Sequence, residues 1–316
     1  MKVAVLILAH RNKQQLKRLI SVLKHPSVDI YIHLDQKSSL TPADFQNENV
    51  FFTKKRYDIT LFDFSMVEAT MELIHTALSH ERYGYHILLS GQCYPLRHID
   101  NIYNYLCKCY PKPLIEVISP EIVTKFAMQF RYPYVLKRFR ISSYSFIRKH
   151  ISSKSIYPYK YVPDGFMYMA SVMKRLFVRS PKQRLNAMGI APYFGPQWWI
   201  LPDIAIDEIL RLYESKDFCN CMKDCFSCDE TFFQTAIMVH ADKFNITLNE
   251  KGYYLNKKWF TIFSHGHPIL LTQNHYEQLI SSKMLFARKF DMDEDSAILD
   301  MLDQHNLDLQ NAEIQD

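Results

Sequence analysis

Glycine is scarce in this chain, with 7 residues among 316. Loops that wrap phosphate groups in backbone N–H donors need closely spaced glycines. Neither a G-x-G-x-x-G nor a G-x-x-x-x-G-K-S/T sequence is present. The scarcity therefore argues against a glycine-rich phosphate loop.

Long apolar runs are also missing, because no stretch approaches 18 uncharged apolar residues. The first ten residues hold one short apolar run, which lacks a small-residue cleavage site and predicts a buried strand rather than a signal peptide. We therefore expect an intracellular, cytoplasmic protein. Contact with the inner face of the membrane as a peripheral protein is the alternative.

Basic residues only modestly outnumber acidic ones, because 38 basic and 33 acidic residues give a formal net charge of +5. The basic residues cluster, as in Lys54–Arg56 and Lys137–Arg140. Such clusters suit an anionic ligand or a lipid surface, and a simply solvated basic face is the plainer interpretation. No nucleic-acid-binding motif is present, so we expect no nucleic-acid partner.

Four of the seven cysteines lie close together, and this spacing raises the hypothesis of a zinc or iron–sulfur site. They are Cys219, Cys221, Cys225 and Cys228. The spacing fits no common ligand pattern, so reduced thiols are the favoured interpretation. The pair His265 and His267 lacks a nearby third ligand, and the D-x-D spacings in 291–295 fit a solvated acidic face, so no metal is expected.

Strand, helix and strand follow one another over the first 35 residues. Residues 2–9 predict a strand, Asn12 can cap a helix that runs to Lys24, and 28–35 predict a second strand. This βαβ order implies a parallel sheet, which binds ligands at the carboxyl ends of its strands. His10, Arg11 and Asp35 fall at those ends, and we expect Asp35 to contact a nucleotide. The further predicted strands are 49–53, 85–90, 114–118 and 197–201, with helices at 64–80, 100–106, 204–213, 229–240 and 274–281 and a turn at 91–96.

The segment from Gly195 to Met238 is the one around which the chain is organised. It begins with Gly195-Pro196-Gln197-Trp198-Trp199 and contains the acid pair Asp229-Glu230. Aromatic faces beside a carboxylate suit a sugar-binding site, although a buried strand, a helix and a helix cap would give the same pattern. The dipole of the helix predicted at 229–240 should keep Asp229 ionised.

Four segments in order resemble glycosyltransferase family 14, which comprises core-2/I-branching β-1,6-N-acetylglucosaminyltransferases and peptide O-xylosyltransferases. They are Ile30–Asp35, Leu88–Leu96, Gly195–Trp199 with Asp229–Phe232, and Leu285–Asp291. The compact length is similar to that of bacterial members. The resemblance spans nearly the whole chain and implies an α/β GT-A fold, an α/β/α sandwich with a Rossmann-like nucleotide-binding half.

The resemblance divides one catalytic domain, 1–316, into four parts. It implies a nucleotide-binding half at 1–110 and a catalytic and acceptor half at 195–292. Residues 111–194 are an irregular aromatic and basic insert, whose side chains would contact an acceptor or anionic lipid. Residues 293–316 predict an acidic C-terminal tail, a surface helix with a frayed end.

The implied reaction is an inverting transfer from a UDP-sugar to a glycan or lipid-linked acceptor, without a metal. The resemblance places the catalytic base on Glu230 and the cation that stabilises the leaving diphosphate on Lys289. N-acetylglucosamine is the first donor sugar expected and xylose the second. The donor-side residues expected are His10, Arg11, Asp35, Arg56, Gly91, Lys289, Arg288 and His267. The acceptor-side residues expected are Trp198, Trp199, Asp229 and Trp259.

Three positions depart from the family pattern. Cys93 stands where the family has Asp, Pro196 replaces a Ser of the animal enzymes, and the second diphosphate-binding Arg has no counterpart near His267. His267 or Arg288 would substitute for that Arg, or the second cation is missing. These departures leave open a non-catalytic protein that binds a carbohydrate or a nucleotide sugar on the same scaffold.

Overall fold

The computed structural model describes residues 1–45, 49–60, 63–119, 121–122, 179–225, 227–264 and 267–315. Most of the aromatic and basic insert predicted at 111–194 lies outside the described residues, as does His265. The strands are β1 (Val3–Ala9), β2 (Val28–Leu34), β3 (Val50–Phe52), β4 (Tyr85–Ser90), β5 (Cys93–Pro95), β6 (Glu116–Ile118), β7 (Ile200–Pro202), β8 (Tyr253–Leu255), β9 (Trp259–Phe260), β10 (Phe263–Ser264), β11 (His267–Pro268) and β12 (Phe286–Arg288). The α-helices are α1 (Lys13–Val22), α2 (Ser65–His80), α3 (Ile99–Cys109), α4 (Pro181–Ala187), α5 (Asp203–Glu214), α6 (Lys216–Met222), α7 (Phe232–Met238), α8 (Tyr276–Ser281) and α9 (Ala297–Gln315).

The central sheet has five strands in the order β3-β2-β1-β4-β7. The first four run parallel, and β7 pairs antiparallel with β4. Every residue of β1 and β2 is buried, as expected for parallel strands covered on both faces. This parallel-rich sheet confirms the predicted α/β fold class and is consistent with a GT-A-like fold.

The first βαβ unit forms as the sequence predicts. Asn12 adopts a left-handed conformation, and its Oδ1 accepts a hydrogen bond of 3.0 Å from the Gln15 N–H, which caps α1. The helix then buries Leu16, Leu19 and Ile20. The cap turns the chain sharply at the end of β1, which is the end at which a ligand would bind.

A second, three-stranded sheet has the order β5-β12-β9 and was not predicted. Residues 93–95 were expected in a turn, but they form β5, which pairs antiparallel with β12. In this pairing Arg288 lies opposite Cys93. The sheet brings Leu285–Asp291 against the residues that follow β4.

The predicted helix at 229–240 is divided. Cys228–Glu230 form a 3-10 turn, Thr231 leaves the helical region with φ −129°, and α7 begins at Phe232. The predicted strand at 197–201 is shifted and shorter, because β7 spans Ile200–Pro202.

The predicted acidic tail forms α9, which packs one face against the core over its first turns and leaves the other face exposed. Ile298, Leu299 and Leu302 of α9 are buried in the core. Arg18 of α1 forms ion pairs of 2.6 Å with both Asp300 and Asp303. The acidic residues Asp300 and Asp303 therefore attach α9 to α1.

Among the helices of the described residues, none combines the length and the apolar character needed to cross a lipid bilayer.

Candidate active site

The carboxyl ends of β1 and β2 meet at Asp35. Its backbone N–H donates to Ala9 O at 2.9 Å, and its buried carboxylate accepts a 2.8 Å hydrogen bond from the Lys37 N–H. The Lys37 Nζ lies 3.3 Å from the same Oδ1. Asp35 thus lies at the predicted edge of the sheet, and its contact with a nucleotide stays a prediction.

Arg56 supports the loop that carries Asp35. Its Nε donates to Leu34 O at 3.0 Å, and its Nη2 donates to Asp35 O at 2.6 Å and to Ser38 O at 2.8 Å. These bonds give Arg56 a supporting role in the loop, and its expected contact with the donor stays a prediction.

Gln15 joins three segments at this edge and was missed in the sequence. Its Nε2 donates to Gly91 O at 2.9 Å and to Phe290 O at 3.1 Å, and its Oε1 accepts from the Met292 N–H at 2.9 Å. Its position four residues before Leu19 places it on the apolar face of α1, which is the signal that would have revealed it. Gly91 itself approaches β1 closely, since its N–H donates to Leu8 O at 3.0 Å.

His10, Arg11 and Lys289 form a group that we call the cation cluster. Burial first, and then the charges of Arg11 and Arg288, lower the pKa of Lys289 from its ordinary value. Desolvation by neighbouring atoms and the charge of Arg11 lower the pKa of His10, which keeps an exposed edge. Side chains that repel one another in this way would gain from an anion placed among them.

Asp291 balances part of this charge. Its Oδ2 accepts a 2.7 Å bond from Arg11 Nη2, and its Oδ1 accepts one of 3.2 Å from Asn12 Nδ2. Asp291 is buried, so the expectation of a solvated acidic face fails at this residue.

Asp229 and Glu230, the acid pair, lie in the 3-10 turn before α7. The Glu230 N–H donates to Ser227 O at 3.0 Å, and its carbonyl accepts from the Gly195 N–H at 2.9 Å. Any Cβ on Gly195 would overlap Glu116 O, so only glycine fits this close approach. The Gly195–Trp199 segment and the acid pair are thereby held together.

Burial raises the pKa of Asp229 to about 6, while the charge of Arg288 acts in the opposite direction. Within the described part of the chain, the buried Asp229 Oδ1 has no hydrogen-bond partner. The helix dipole was expected to keep Asp229 ionised, but burial dominates. The dipole falls off within the first turn, and α7 begins only at Phe232.

Arg288 lies beside the acid pair. Its Cζ is 4.7 Å from the centroid of the Trp198 ring, and the charges of Glu230 and Asp229 act on its guanidinium. Arg288 was expected on the donor side, together with Lys289. The structure places it over the Trp198 ring, and its expected contact with the donor stays a prediction.

All three tryptophans expected at the acceptor site are buried in the core, with exposures of 7% for Trp198, 0% for Trp199 and 3% for Trp259. Trp199 is fully buried, with its ring centroid 5.2 Å from that of Phe233. Trp259 is buried and stacks on Phe286 at 5.4 Å. Trp198 differs from these two in that the Arg288 guanidinium lies over its ring at 4.7 Å. Contact of any of the three rings with a sugar stays a prediction.

His267 is exposed on the β10–β11 hairpin, opposite Ser264. Among the described residues, no hydrogen bond or ion pair joins it to the cation cluster, so the structure does not bring it to the other donor-side residues.

The clustered cysteines are buried thiols. Cys219 donates to Tyr213 O at 3.0 Å and Cys221 to Pro181 O at 3.2 Å. Burial raises the pKa of Cys221 to about 11 and that of Cys225 and Cys228 well above the ordinary value. Within the described ranges, no group of three or more His, Cys, Asp or Glu side chains is placed to hold a metal ion. Neutral thiols bonded to carbonyls fit the interpretation of reduced cysteines.

Comparison with known proteins agrees with the resemblance seen in the sequence. Residues 3–125 match the family model described as "Core-2/I-Branching enzyme". A curated relative from Danio rerio, "Beta-1,3-galactosyl-O-glycosyl-glycoprotein beta-1,6-N-acetylglucosaminyltransferase 4", is 23% identical over 244 residues, which is 75% of this chain and 50% of the relative. These matches confirm the predicted resemblance and support a glycosyltransferase. The chain spans about half the length of that relative.

Proposed function

We propose that this chain is a glycosyltransferase that moves a sugar from a UDP-sugar to a hydroxyl group of a glycan acceptor. The proposal rests on the consecutive residues Arg288 and Lys289, which connect the acid pair to the cation cluster. Lys289 belongs to the cation cluster, and Arg288 contacts Trp198 beside Asp229 and Glu230. A leaving anion and a deprotonated hydroxyl are the two charges that glycosyl transfer creates, and this arrangement supplies a group for each.

The donor would lie over the carboxyl ends of β1 and β2. Asp35 there can accept hydrogen bonds from the nucleoside. The diphosphate would lie among His10, Arg11 and Lys289, where it would relieve the repulsion between Arg11 and Lys289 and could accept a hydrogen bond from the His10 imidazole. Fixed cations of this kind can stabilise the negative charge of departing UDP, so we propose that the reaction needs no metal ion.

The acceptor hydroxyl would approach from the Trp198 side. Glu230 takes its proton, the oxygen forms a bond to the anomeric carbon, and the bond from that carbon to the diphosphate breaks. UDP leaves with the electron pair on the opposite face, so the configuration at the anomeric carbon inverts. The hydrogen bond from Gly195 to the Glu230 carbonyl fixes the backbone from which the base extends.

The donor sugar is proposed from the relative. Its name includes N-acetylglucosaminyltransferase, so UDP-N-acetylglucosamine is the first candidate and UDP-xylose the second. A glycan or lipid-linked oligosaccharide of a surface polysaccharide is the proposed acceptor class. The protein would act in the cytoplasm, with or without peripheral contact at the membrane.

The test begins with calorimetric titration of the EDTA-treated protein with several UDP-sugars and GDP-mannose. We expect one UDP-sugar to bind and UDP to be released slowly without a metal.

Glu230→Gln should keep UDP affinity and lose turnover by about 100-fold or more. Turnover of this variant within a few-fold of wild type would remove Glu230 as the base. A requirement for Mn²⁺ would overturn metal independence. Sugar binding without any UDP release, with glycan acceptors present, would favour a non-catalytic binding protein.

A further inference from the structure

Two buried polar atoms beside the acid pair have no hydrogen-bond partner among the described residues. One is Asp229 Oδ1 and the other is Arg288 Nε. Leaving such groups unpaired is costly, so their positions are not explained by the stability of the fold. The backbone brings the two segments together, because Arg288 lies 4.7 Å from the Trp198 ring and Gly195, three residues before Trp198, donates a 2.9 Å hydrogen bond to the Glu230 carbonyl. The effect of each charge on the other agrees with this placement.

The surroundings keep the guanidinium of Arg288 at this place. The Trp198 ring covers it at 4.7 Å, and its backbone is paired with Cys93 across the sheet. Cys93 is buried and accepts a 3.3 Å bond from the Ser90 N–H, so the partner strand is itself held. The charged or titratable groups facing Arg288 are the two acids, the Cys93 thiol and the neighbouring Lys289.

Adjacent carboxylates repel one another, and desolvation favours their protonated forms. A protonated Glu230 could not accept the proton of an acceptor hydroxyl. A fixed cation beside the acids opposes both effects, and Arg288, which is held over the Trp198 ring, is a cation on which the charges of both acids act. Arg288 also remains protonated throughout the range in which enzymes work.

We propose that Arg288 is a positioning residue for the acid pair, which keeps Glu230 ionised and oriented, and that it does not bind the donor diphosphate. The two consecutive cations would then have different roles. Lys289 would stabilise the leaving diphosphate, and Arg288 would stabilise the ionised form of the base. This inference rests on the proposed function in so far as Glu230 is the base.

The first experiment measures kcat/KM against pH for wild type, Arg288→Gln and Arg288→Lys. Loss of the cation should move the acidic limb of the Gln variant to higher pH by about one unit. The Lys variant should remain close to wild type, and the dissociation constant of UDP should change less than about threefold in both variants. An unmoved acidic limb together with UDP binding weakened tenfold or more would instead assign Arg288 to the diphosphate.

A second experiment does not depend on activity. Thermal unfolding at pH 8 is compared for Arg288→Gln, Asp229→Asn and the double variant. Removing Arg288 alone leaves a buried carboxylate without its cation, so we expect Tm to fall by about 4 °C, and by less than half as much when Asp229 is already neutral. Equal losses in both backgrounds would indicate packing against Trp198 alone and would overturn the inference.

Arg18→Gln provides the matched control, because Arg18 pairs with Asp300 and Asp303 on α9 rather than with the acid pair. Its effect on Tm should be the same with and without Asp229→Asn. If wild type releases no UDP with any donor, the proposed function fails, and the unfolding cycle still decides whether Arg288 and Asp229 are coupled.

Discussion

The Arg11 guanidinium and the Asp291 carboxylate form an ion pair with 2.7 Å between Nη2 and Oδ2. The two residues are 280 positions apart in the sequence. Their contact ties the end of β1 to the segment that follows β12 and so places Lys289 beside Arg11. The cation cluster is therefore built by a long-range contact rather than by a local motif.

Replacing Asp291 tests this contact. Asp291→Asn loses the charge that Arg11 and Asn12 contact, so we expect the free energy of unfolding to fall by about 1–2 kcal/mol. The measure is urea denaturation at pH 7. Asp293→Asn is the control, because Asp293 is exposed. An equal loss in both variants would mean that the Arg11–Asp291 pair adds no stability.

Lys289 is expected to bind the diphosphate. Lys289→Ala removes one charge-assisted contact, so the dissociation constant of UDP should rise about tenfold or more in calorimetric titration. Lys283→Ala, at an exposed position six residues earlier, should leave it unchanged. Unchanged affinity in the Lys289 variant would contradict the assigned role.

Local patterns gave the βαβ unit and the edge at which ligands bind, because apolar spacing and the cap at Asn12 lie within short stretches. They could not give the β5–β12 pairing, since Cys93 and Arg288 meet only in the folded chain. For the same reason the sequence did not show that Arg288 lies over the Trp198 ring while Lys289 is close to Arg11.

Residue type also says little about burial. Trp198, Trp199 and Trp259 are alike in sequence and all three are buried, and only the folded structure shows that the Trp198 ring packs against Arg288 while the other two pack against phenylalanines. At Asp229 the sequence indicated a helix dipole, but desolvation, which depends on the whole fold, has the larger effect.

Gly195 allows the acid pair to be placed where it is. Gly195→Ala would force a methyl group onto Glu116 O and also against Gln234, so the backbone bonded to Glu230 must shift. We expect turnover to fall at least tenfold, because a displacement of about 1 Å at a catalytic group can cost 100-fold.

Gly84→Ala is the control for this substitution, because its new methyl group would meet mainly the flexible Met1 side chain. Turnover should be measured as UDP release, with circular dichroism to confirm folding. A Gly195→Ala enzyme as active as the Gly84→Ala enzyme would show that the close approach at Glu116 does not position the acid pair.

The raised pKa of Asp229 predicts how stability depends on pH. The folded-state pKa of about 6 lies above the ordinary value of 3.8 for an aspartate. Between these values the unfolded chain releases its proton while the folded chain retains it. Stability from this group is therefore greatest below about pH 4 and falls as pH rises to about 6.

Asp229→Asn cannot titrate, so its stability should not fall in this way. From pH 4 to pH 8 it should gain about 1–2 kcal/mol relative to wild type, a value reduced for the partial exposure of the residue. Urea denaturation at both pH values measures the change, and Asp242→Asn, at an exposed position, is the control. If the difference between Asp229→Asn and wild type is the same at both pH values, folding does not raise the pKa of Asp229, and burial does not govern it.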